Sequence, residues 1–562
     1  MQSTSPTPEQ PEQPAHPDVS DHSDMPDATA AAPLAPVQRG VVTEAGIGTV
    51  AAEPRRRRGG RPPSEGRSTL PEQRPFGQSR LRYAPTEVVS ADELEMIHQA
   101  SLEILERIGM DVLNPEARDL FVAAGAMIDG ERVRVGRDII AEAMKSAPSE
   151  FTLHATNPAH SLHVGGNWVA FGSVASAPNV FDRDNGRRIG NRHDYQNLIK
   201  LGQMLNTVHF FGGYPVEPID LHASIRHLDA TYDALTLADK PIHVYSLGAQ
   251  RNQDVIEMVR IARGVDHETL EREPSLFTII NTSSPLRLDL PMATGILEMS
   301  SRNQVVCITP FTLAGAMAPV TVAGAVAQQN AEALLGMSLT QLVRPGSPVI
   351  YGGFTSNVDM QSGAPAFGTP EFMKAAMMGG QLARRYSVPY RSSNVCAANA
   401  LDAQSAYESV FSLWGALMGG VNLLMHGAGW MEGGLHASYE KMMLDAELLG
   451  MLECFLEPPV VNKAELGLDA IADVGPGGHF FGTQHTQDRF RTAFHHPMLS
   501  DWRNWETWVE AGSPTTYDRA NKMWKAMLAA YEPPTTLDDS RHAELQDFVD
   551  RRHAEGGVAT DF

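Results

Sequence analysis

The chain has 562 residues, 42% of them hydrophobic, and a formal net charge of −22. That acidic excess excludes nucleic acid as the principal partner, because phosphate binding requires clustered cations. Three cysteines (Cys307, Cys396 and Cys454) lie far apart with no CxxC pair, so neither a disulfide framework nor a thiolate metal site is expected, and no run of about 18 apolar residues is present to span a bilayer.

The first 75 residues contain no Phe, Trp or Tyr and are crowded with Pro, Ala, Ser, Asp and Glu. Such a segment buries too little apolar surface to offset its ordering entropy, so a disordered tail is expected. It is acidic and Pro-rich rather than basic then apolar, unlike a secretory leader, and a cytoplasmic location is the default expectation. Its Arg55–Arg58 run, with Arg61 and Arg67, is either a docking patch for an acidic partner or a solvated charge run.

An N-terminal helical and β extension is predicted over 76–165. Ser90 and Glu93 fit a capping box, and Leu94, Ile97, Leu102 and Leu105 recur at helical spacing up to Gly109. Short helices are predicted near 116–123 and 137–146, then short alternating runs between Phe151 and Phe181 as a small antiparallel layer.

Over 166–456 the chain becomes rhythmic. Short apolar runs at 168–172, 208–211, 242–245, 276–280, 305–308, 349–351, 389–391 and 421–425 alternate with helical stretches at 193–205, 221–238, 254–263, 288–301, 323–342, 371–386, 402–418 and 439–455. Eight such units predict an α/β fold, a (β/α)8 TIM barrel of parallel strands with right-handed crossovers. An open doubly wound sheet is the rival, but no Gly-rich dinucleotide fingerprint follows any strand. The strand ends (FFGGYP, VYSLG, IINTSSP, ITPFTLAG, YGGFTSN, SSNVCAAN, MHGAGWMEGG) supply glycines, small polar groups and aromatics. Large acidic clusters are missing there, apart from Glu217, Asp359 and Glu432. Such loops are either ordinary turn chemistry or, being in phase on one barrel face, the lining of a pocket.

From 457 a C-terminal cap with helices is predicted. Gly475–Thr486, with His495 and His496, lacks the spacing of a known metal site and is expected to pack as a cap. Trp502, Trp505 and Trp508 are expected to form a packed helix face, and a charged helix is expected over 539–556.

Several segments, in order from about Ala84 to Ser540, carry a family resemblance. They are NTSSPLRLDLP (Asn281–Pro291), QQNAEALLG (Gln328–Gly336), YGGFTSNVDMQSGAPAFGTPE (Tyr351–Glu371), DAQSAYE (Asp402–Glu408), GAGWMEGG (Gly427–Gly434) and VGPGGHFFGTQHT (Val474–Thr486). Together they resemble the trimethylamine:corrinoid methyltransferase family. The resemblance implies a (β/α)8 barrel that moves a methyl group from a methylated amine to the cobalt of a corrinoid (cobalamin). That corrinoid is not tightly bound here but carried by a small corrinoid protein. Archetypal trimethylamine enzymes of the family carry pyrrolysine at a position that aligns near Val395. A valine offers no imine, so the resemblance implies a non-pyrrolysine member acting on a quaternary amine such as glycine betaine.

Displacement from a quaternary ammonium releases a neutral tertiary amine, so the protein need only hold, dehydrate and align the cation. Aromatic faces with a nearby carboxylate suit that task. Trp430, Phe354, Tyr351, Tyr245 and Tyr214 are the candidate rings, Glu432 the candidate acid, and His426 or Arg391 the candidate for a substrate carboxylate. Asn281 and Asn394 are candidate polar contacts; Glu432 and His426 are the catalytic candidates, and no metal ligand is expected. A lyase or decarboxylase using the same mouth without cobalt, and a betaine-binding sensor, are the alternatives. Exposed barrel helices suggest a homo-oligomer.

Overall fold

The computed structural model describes residues 70–560; the tail over 1–69, including Arg55–Arg58, lies outside them. Seven parallel strands form the barrel wall. They are β1 (Trp168–Ser173), β2 (Ile242–His243), β3 (Leu276–Ile280), β4 (Val305–Ile308), β5 (Val349–Gly352), β6 (Tyr390–Ser393) and β7 (Leu423–Ala428). Each of β2 to β7 pairs with the next, and β7 pairs with β1. The eighth position, between β1 and β2, is taken by the extended segment 208–211. It receives a parallel bridge from Gly172 to Phe210 and donates from Phe211 N to Pro241 O at 2.9 Å. The predicted second strand is thus present as a stave but not as a regular strand. One reason is that the buried ammonium of Lys240 takes the Val208 carbonyl at 2.7 Å, together with those of Gly202 and Leu205.

The crossovers are α1 (Arg192–Met204), α2 (Arg226–Leu237), α3 (Ala249–Arg263), α4 (Leu290–Ser301), α5 (Val322–Val343), α6 (Pro370–Tyr386) and α7 (Ala403–Met418), with α8 (Tyr439–Leu456) after β7. Capping chemistry sets their starts: Asn191, Asp289, Thr321, Thr369 and Asp402 each accept a first-turn backbone N–H. The result is the (β/α)8 barrel.

Side-chain alternation divides the apolar residues into two cores. Ala170, Phe210, Phe277, Val305, Cys307, Ile350, Leu423 and Met425 face the axis, and the hairpin of Glu150–Leu153 with Leu162–Gly165 plugs its lower end through Leu153, Leu162 and Val164. Phe171, Val306, Ile308, Tyr351, Tyr390 and Leu424 face the helices.

Helix α5 is buried on every side along most of its length, which for a barrel helix demands a second partner. The N-terminal extension supplies it. Helix Ala91–Glu103 starts on the Ser90–Glu93 capping box and joins α5 through Ser101, whose hydroxyl donates to Ala327 O at 2.8 Å and accepts from Asn330 Nδ2 at 2.9 Å.

Packed structure begins earlier than residue 76. Gln73 Nε2 donates to Met204 O at 2.9 Å, and Asn206 N donates to Gln73 Oε1 at 2.9 Å, so the expectation that 1–75 lacks packed residues fails for 70–75. The C-terminal region also departs from expectation. Helices Thr516–Ala529 and Asp539–Ala554 pack around the barrel wall, against α8 and against α2 and α3. Between them and α8, the Gly475–Thr486 segment is mostly exposed rather than packed; Trp502 precedes helix Trp505–Glu510 and is exposed, as is Trp505, whereas Trp508 is half-buried with its Nε1 donating to Pro514 O at 3.0 Å.

Candidate functional site

All eight staves contribute to one cavity of about 540 Å3 at their carboxyl ends. Its floor and walls carry His243 and Tyr245 from β2 and its loop, Ile279 and Asn281–Ser283 after β3, and Thr309 and Phe311 after β4. Phe354 after β5, Arg391 on β6, Met425 and His426 on β7, and Trp430 complete it, with Asp289 and Met292 from the start of α4.

The aromatic wall is continuous. Phe354 meets Phe311 at 5.2 Å and Trp430 at 6.3 Å between ring centroids, and Trp430 stacks on His426 at 5.4 Å and 25°. Local backbone geometry makes that stack. The pairing register slips between Leu424 and Ala428, and His426 sits at φ +56°, a left-handed conformation that costs a non-glycine residue about 1 kcal/mol or more. Gly434 completes the turn: a Cβ there would lie 2.8 Å from the Trp430 indole. Asp445, wholly buried, accepts the Gly429 N–H at 2.8 Å and pairs with buried Lys441 at 2.5 Å. That pair anchors the Trp430 loop to α8.

On the opposite wall, the buried carboxylate of Glu332 accepts from the Thr282 hydroxyl, from the Ser284 hydroxyl at 2.6 Å, from Leu286 N at 2.9 Å and from Gln328 Nε2 at 2.9 Å. These four donors set the Asn281–Ser283 loop on the rim.

The floor is electropositive. Arg391 is 2% exposed, and its guanidinium carbon sits 5.4 Å from the Phe354 ring centroid. Its Nη1 makes one long contact to Gly353 O at 3.4 Å, its Nε has no partner, and it has no ion pair among the described residues. Burial pushes its pKa down to about 10, which still leaves it charged at neutral pH. His243 Nε2 accepts the Ile279 N–H at 3.0 Å, so Nδ1 carries the proton, and that Nδ1 is buried without a partner. Burial, then Arg391, drives the His243 pKa down to about 3 and holds His426 well below the usual imidazole value. Both rings are therefore neutral at physiological pH.

Of the residues singled out in the sequence, six line this cavity: His426, Trp430, Phe354, Tyr245, Asn281 and Arg391. Four do not. Tyr351 faces outward, ringed by Tyr386 and Tyr390, and accepts from Gln329 Nε2 at 3.2 Å. Asn394 knits two loops together, donating to Gly427 O at 3.1 Å and accepting from the Ser412 hydroxyl at 3.0 Å. Tyr214 stands behind Tyr245, ring centroids 4.6 Å apart, on a separate cavity of about 170 Å3.

Glu432 turns away from the cavity to Arg187 Nε and His436 Nδ1, both at 2.8 Å. Burial tends to raise its pKa, but these two hydrogen bonds outweigh it and hold the carboxyl low. Val395, which the resemblance aligns near the pyrrolysine position, is fully buried, its N–H donating to the Ser412 hydroxyl at 3.0 Å. His243, Thr282, Thr309, Phe311 and Asp289 were not singled out. Alternation points to His243, two residues before Tyr245 on the same strand face.

A family model described as trimethylamine methyltransferase (MTTB) matches residues 55–557. The chain belongs to the trimethylamine methyltransferase family. Among its relatives, it is 35% identical over 471 residues to a glycine betaine methyltransferase of Desulfitobacterium hafniense, covering 84% of this chain and 98% of the relative. It is 28% identical over 476 residues to a trimethylamine methyltransferase of the same species, covering 84% and 95%. It is 26% identical over 445 residues to that of Methanosarcina thermophila, covering 78% and 92%. As a member of this family the chain is a methyltransferase.

Proposed function

We propose that this methyltransferase demethylates a small zwitterion bearing a quaternary ammonium and a carboxylate, of which glycine betaine is the leading candidate, and that the methyl passes to a corrinoid presented at the barrel mouth by a partner protein. The single observation that carries this reading is Arg391: a buried cation without an acidic partner on the floor of an aromatic-walled cavity. A buried unpaired charge is costly, and a ligand carboxylate accepting from Arg391 and from His243 Nδ1–H would satisfy both orphaned donor groups. The glycine betaine methyltransferase relative supports the same ligand.

With the carboxylate on the floor, the trimethylammonium head lies among Phe354, Phe311, Trp430 and Tyr245, whose faces attract a desolvated cation. The neutral state of His243 and His426 matters here, because either imidazolium would repel that head. Asp289 at the rim adds a compensating negative charge. The C–N bond of one methyl breaks, its electron pair stays on nitrogen, and a neutral tertiary amine leaves, so no side chain has to donate a proton.

The acceptor has to come from outside. No cysteine lines the cavity, and Cys307 is sealed in the barrel core with its thiol pKa pushed up to about 11 by burial. The rim residues Ala175, Ser176, Asn281 and Ser283 are small, which suits the approach of a flat macrocycle. A reduced corrinoid supplies a nucleophilic metal centre for the methyl group.

The test is to incubate the protein with reduced cobalamin and a panel of glycine betaine, choline, carnitine and trimethylamine. The expected result is loss of the reduced-corrinoid absorption with an equal amount of dimethylglycine, for glycine betaine above all. Turnover of trimethylamine alone would overturn the substrate, and tight binding of betaine without any demethylated product would overturn the reaction.

A further inference from the structure

At the foot of the barrel, the end away from the betaine cavity, lies a second hollow of about 530 Å3 that is open to solvent. Its walls are the segment 74–82, Trp168 at the start of β1, and the end of α8. Three arginines meet there. Ser79 and Arg80 pair antiparallel with Val169 and Trp168, and Leu81 N continues the pairing to Asn167 O at 2.8 Å. Alternation along this extended stretch buries Leu81 and leaves Arg80 and Arg82 together on the open side. Arg80 lies over the Trp168 ring, its guanidinium carbon 3.8 Å from the centroid, a stack that holds the group without using its N–H donors. Among the described residues neither Arg80 nor Arg82 has an anionic partner, whereas Arg74 pairs with Glu457 just beyond α8.

Surface arginines are ordinarily satisfied by water. What marks this hollow is the acid in its wall. Glu453 on α8 is 5% exposed, lines the hollow, and has a buried Oε1 without a hydrogen-bond partner. The nearest polar group, His209 Nε2, stands 3.6 Å away and is engaged elsewhere. Phe171 N donates to His209 Nδ1 at 2.9 Å, so the ring proton sits on Nε2 and goes to Gly77 O at 3.2 Å. Burial keeps His209 neutral, with its pKa down to about 3. Burial also pushes the Glu453 pKa up to about 8, against the pull of Arg74 and with some help from Glu457. At neutral pH Glu453 is therefore a carboxylic acid, an O–H donor with no acceptor among the described residues. The hollow then holds three guanidiniums against the one carboxylate of Glu457, on a chain whose formal net charge is −22.

We propose that this hollow is a binding site for a dianionic phosphate group, carried on a small metabolite or free in solution. Arg80, Arg82 and the Glu453 O–H are donors, and a tetrahedral dianion presents acceptor oxygens on every side to meet them together. Its two charges match the excess of two cations in the hollow. A cationic ligand would find only Glu457, which Arg74 already occupies. The volume suits a small organic phosphate better than a bare ion. The hollow shares no lining residue with the betaine cavity, so the site stands apart from the methyl-transfer chemistry.

The test is calorimetric titration of the full chain at low ionic strength with sulfate, which stays doubly charged where phosphate would titrate. Sulfate is expected to bind, and Arg80→Ser and Arg82→Ser are each expected to weaken it about ten-fold or more. Arg391→Met, in the other cavity, is expected to keep it. Affinity is expected to fall by up to about ten-fold from pH 7 to pH 9 as Glu453 ionises, and Glu453→Gln, which stays neutral and keeps a donor, to remove that fall. At pH 7, glycerol 2-phosphate is expected to bind more tightly than inorganic phosphate; the reverse order would assign the free ion to the same site. No sulfate binding, binding that survives both arginine variants, binding lost with Arg391, the same pH dependence in Glu453→Gln, or binding seen only in a chain starting at residue 70 would each overturn the proposal.

Discussion

Replacing Arg391 by methionine isolates the floor of the cavity. The guanidinium is fully buried without an acidic partner, so the free protein bears its desolvation alone and the ligand carboxylate relieves it. Removing one partner of a buried, hydrogen-bonded charge pair weakens binding by about 2–5 kcal/mol, which is roughly 30-fold to a few thousand-fold in Kd. Glycine betaine should weaken by that factor, whereas choline, which lacks the carboxylate, should bind as well or better. Stability should move the other way: exchanging an unpaired buried cation for an apolar side chain of similar length should raise the free protein's stability by about 1–4 kcal/mol. Calorimetric titration with both ligands and thermal melts of the free protein measure the two effects. Equal losses for betaine and choline, or a lower melting temperature in the variant, would show that Arg391 is structural and would remove the carboxylate from the floor.

Trp430→Leu keeps apolar bulk but removes the indole face, so glycine betaine should lose about 2 kcal/mol, roughly thirty-fold in affinity. Its neutral isostere 3,3-dimethylbutyrate should change far less, as titration of both will show. The depressed pKa values of His243 (about 3) and His426 mean that the unfolded chain takes up protons near pH 6.5 while the folded chain does not. Stability should therefore fall as pH drops below about 6.5 toward 3, and betaine affinity should show no step near 6.5; melts and titrations across that range check both. Asp445→Asn leaves buried Lys441 without its charge partner and should cost about 3–5 kcal/mol, read as a lower denaturation midpoint. A chain starting at residue 76 should melt below one starting at residue 70, by about 1–3 kcal/mol for the lost Gln73 hydrogen bonds.

The barrel was legible because its signal is redundant: eight apolar runs alternate with eight helical stretches, and the capping box at Ser90 sits where predicted. The site was legible only down to the loop. Naming the aromatic at a strand end does not say which way it points, and a shift of one residue moves a side chain to the other face. Tyr351 therefore falls among the helices while its neighbour Ile350 faces the axis. Glu432 was misplaced for a related reason. The glycines around it permit several turns, and the one adopted is held by His436 together with Arg187, the latter 245 positions earlier and beyond the reach of any local pattern. The exposure of residues 475–486 was equally hidden, since a Gly- and aromatic-rich segment reads the same in sequence whether or not it packs on the barrel.

What the cavity selects follows from how its two halves fail separately. An amine without a carboxylate leaves Arg391 and His243 Nδ1–H unsatisfied, so it forfeits the floor whatever it gains from the rings. A carboxylate without a cationic head satisfies the floor but replaces the cation–π attraction with ordinary apolar contact. Only a molecule with both charges, spaced so that one meets Arg391 as the other meets the Phe354–Trp430 wall, uses the whole site. On the proposed reading, discrimination comes from the two halves together: the carboxylate removes the cost of leaving Arg391 unpaired in the free enzyme, and the ammonium adds the cation–π attraction.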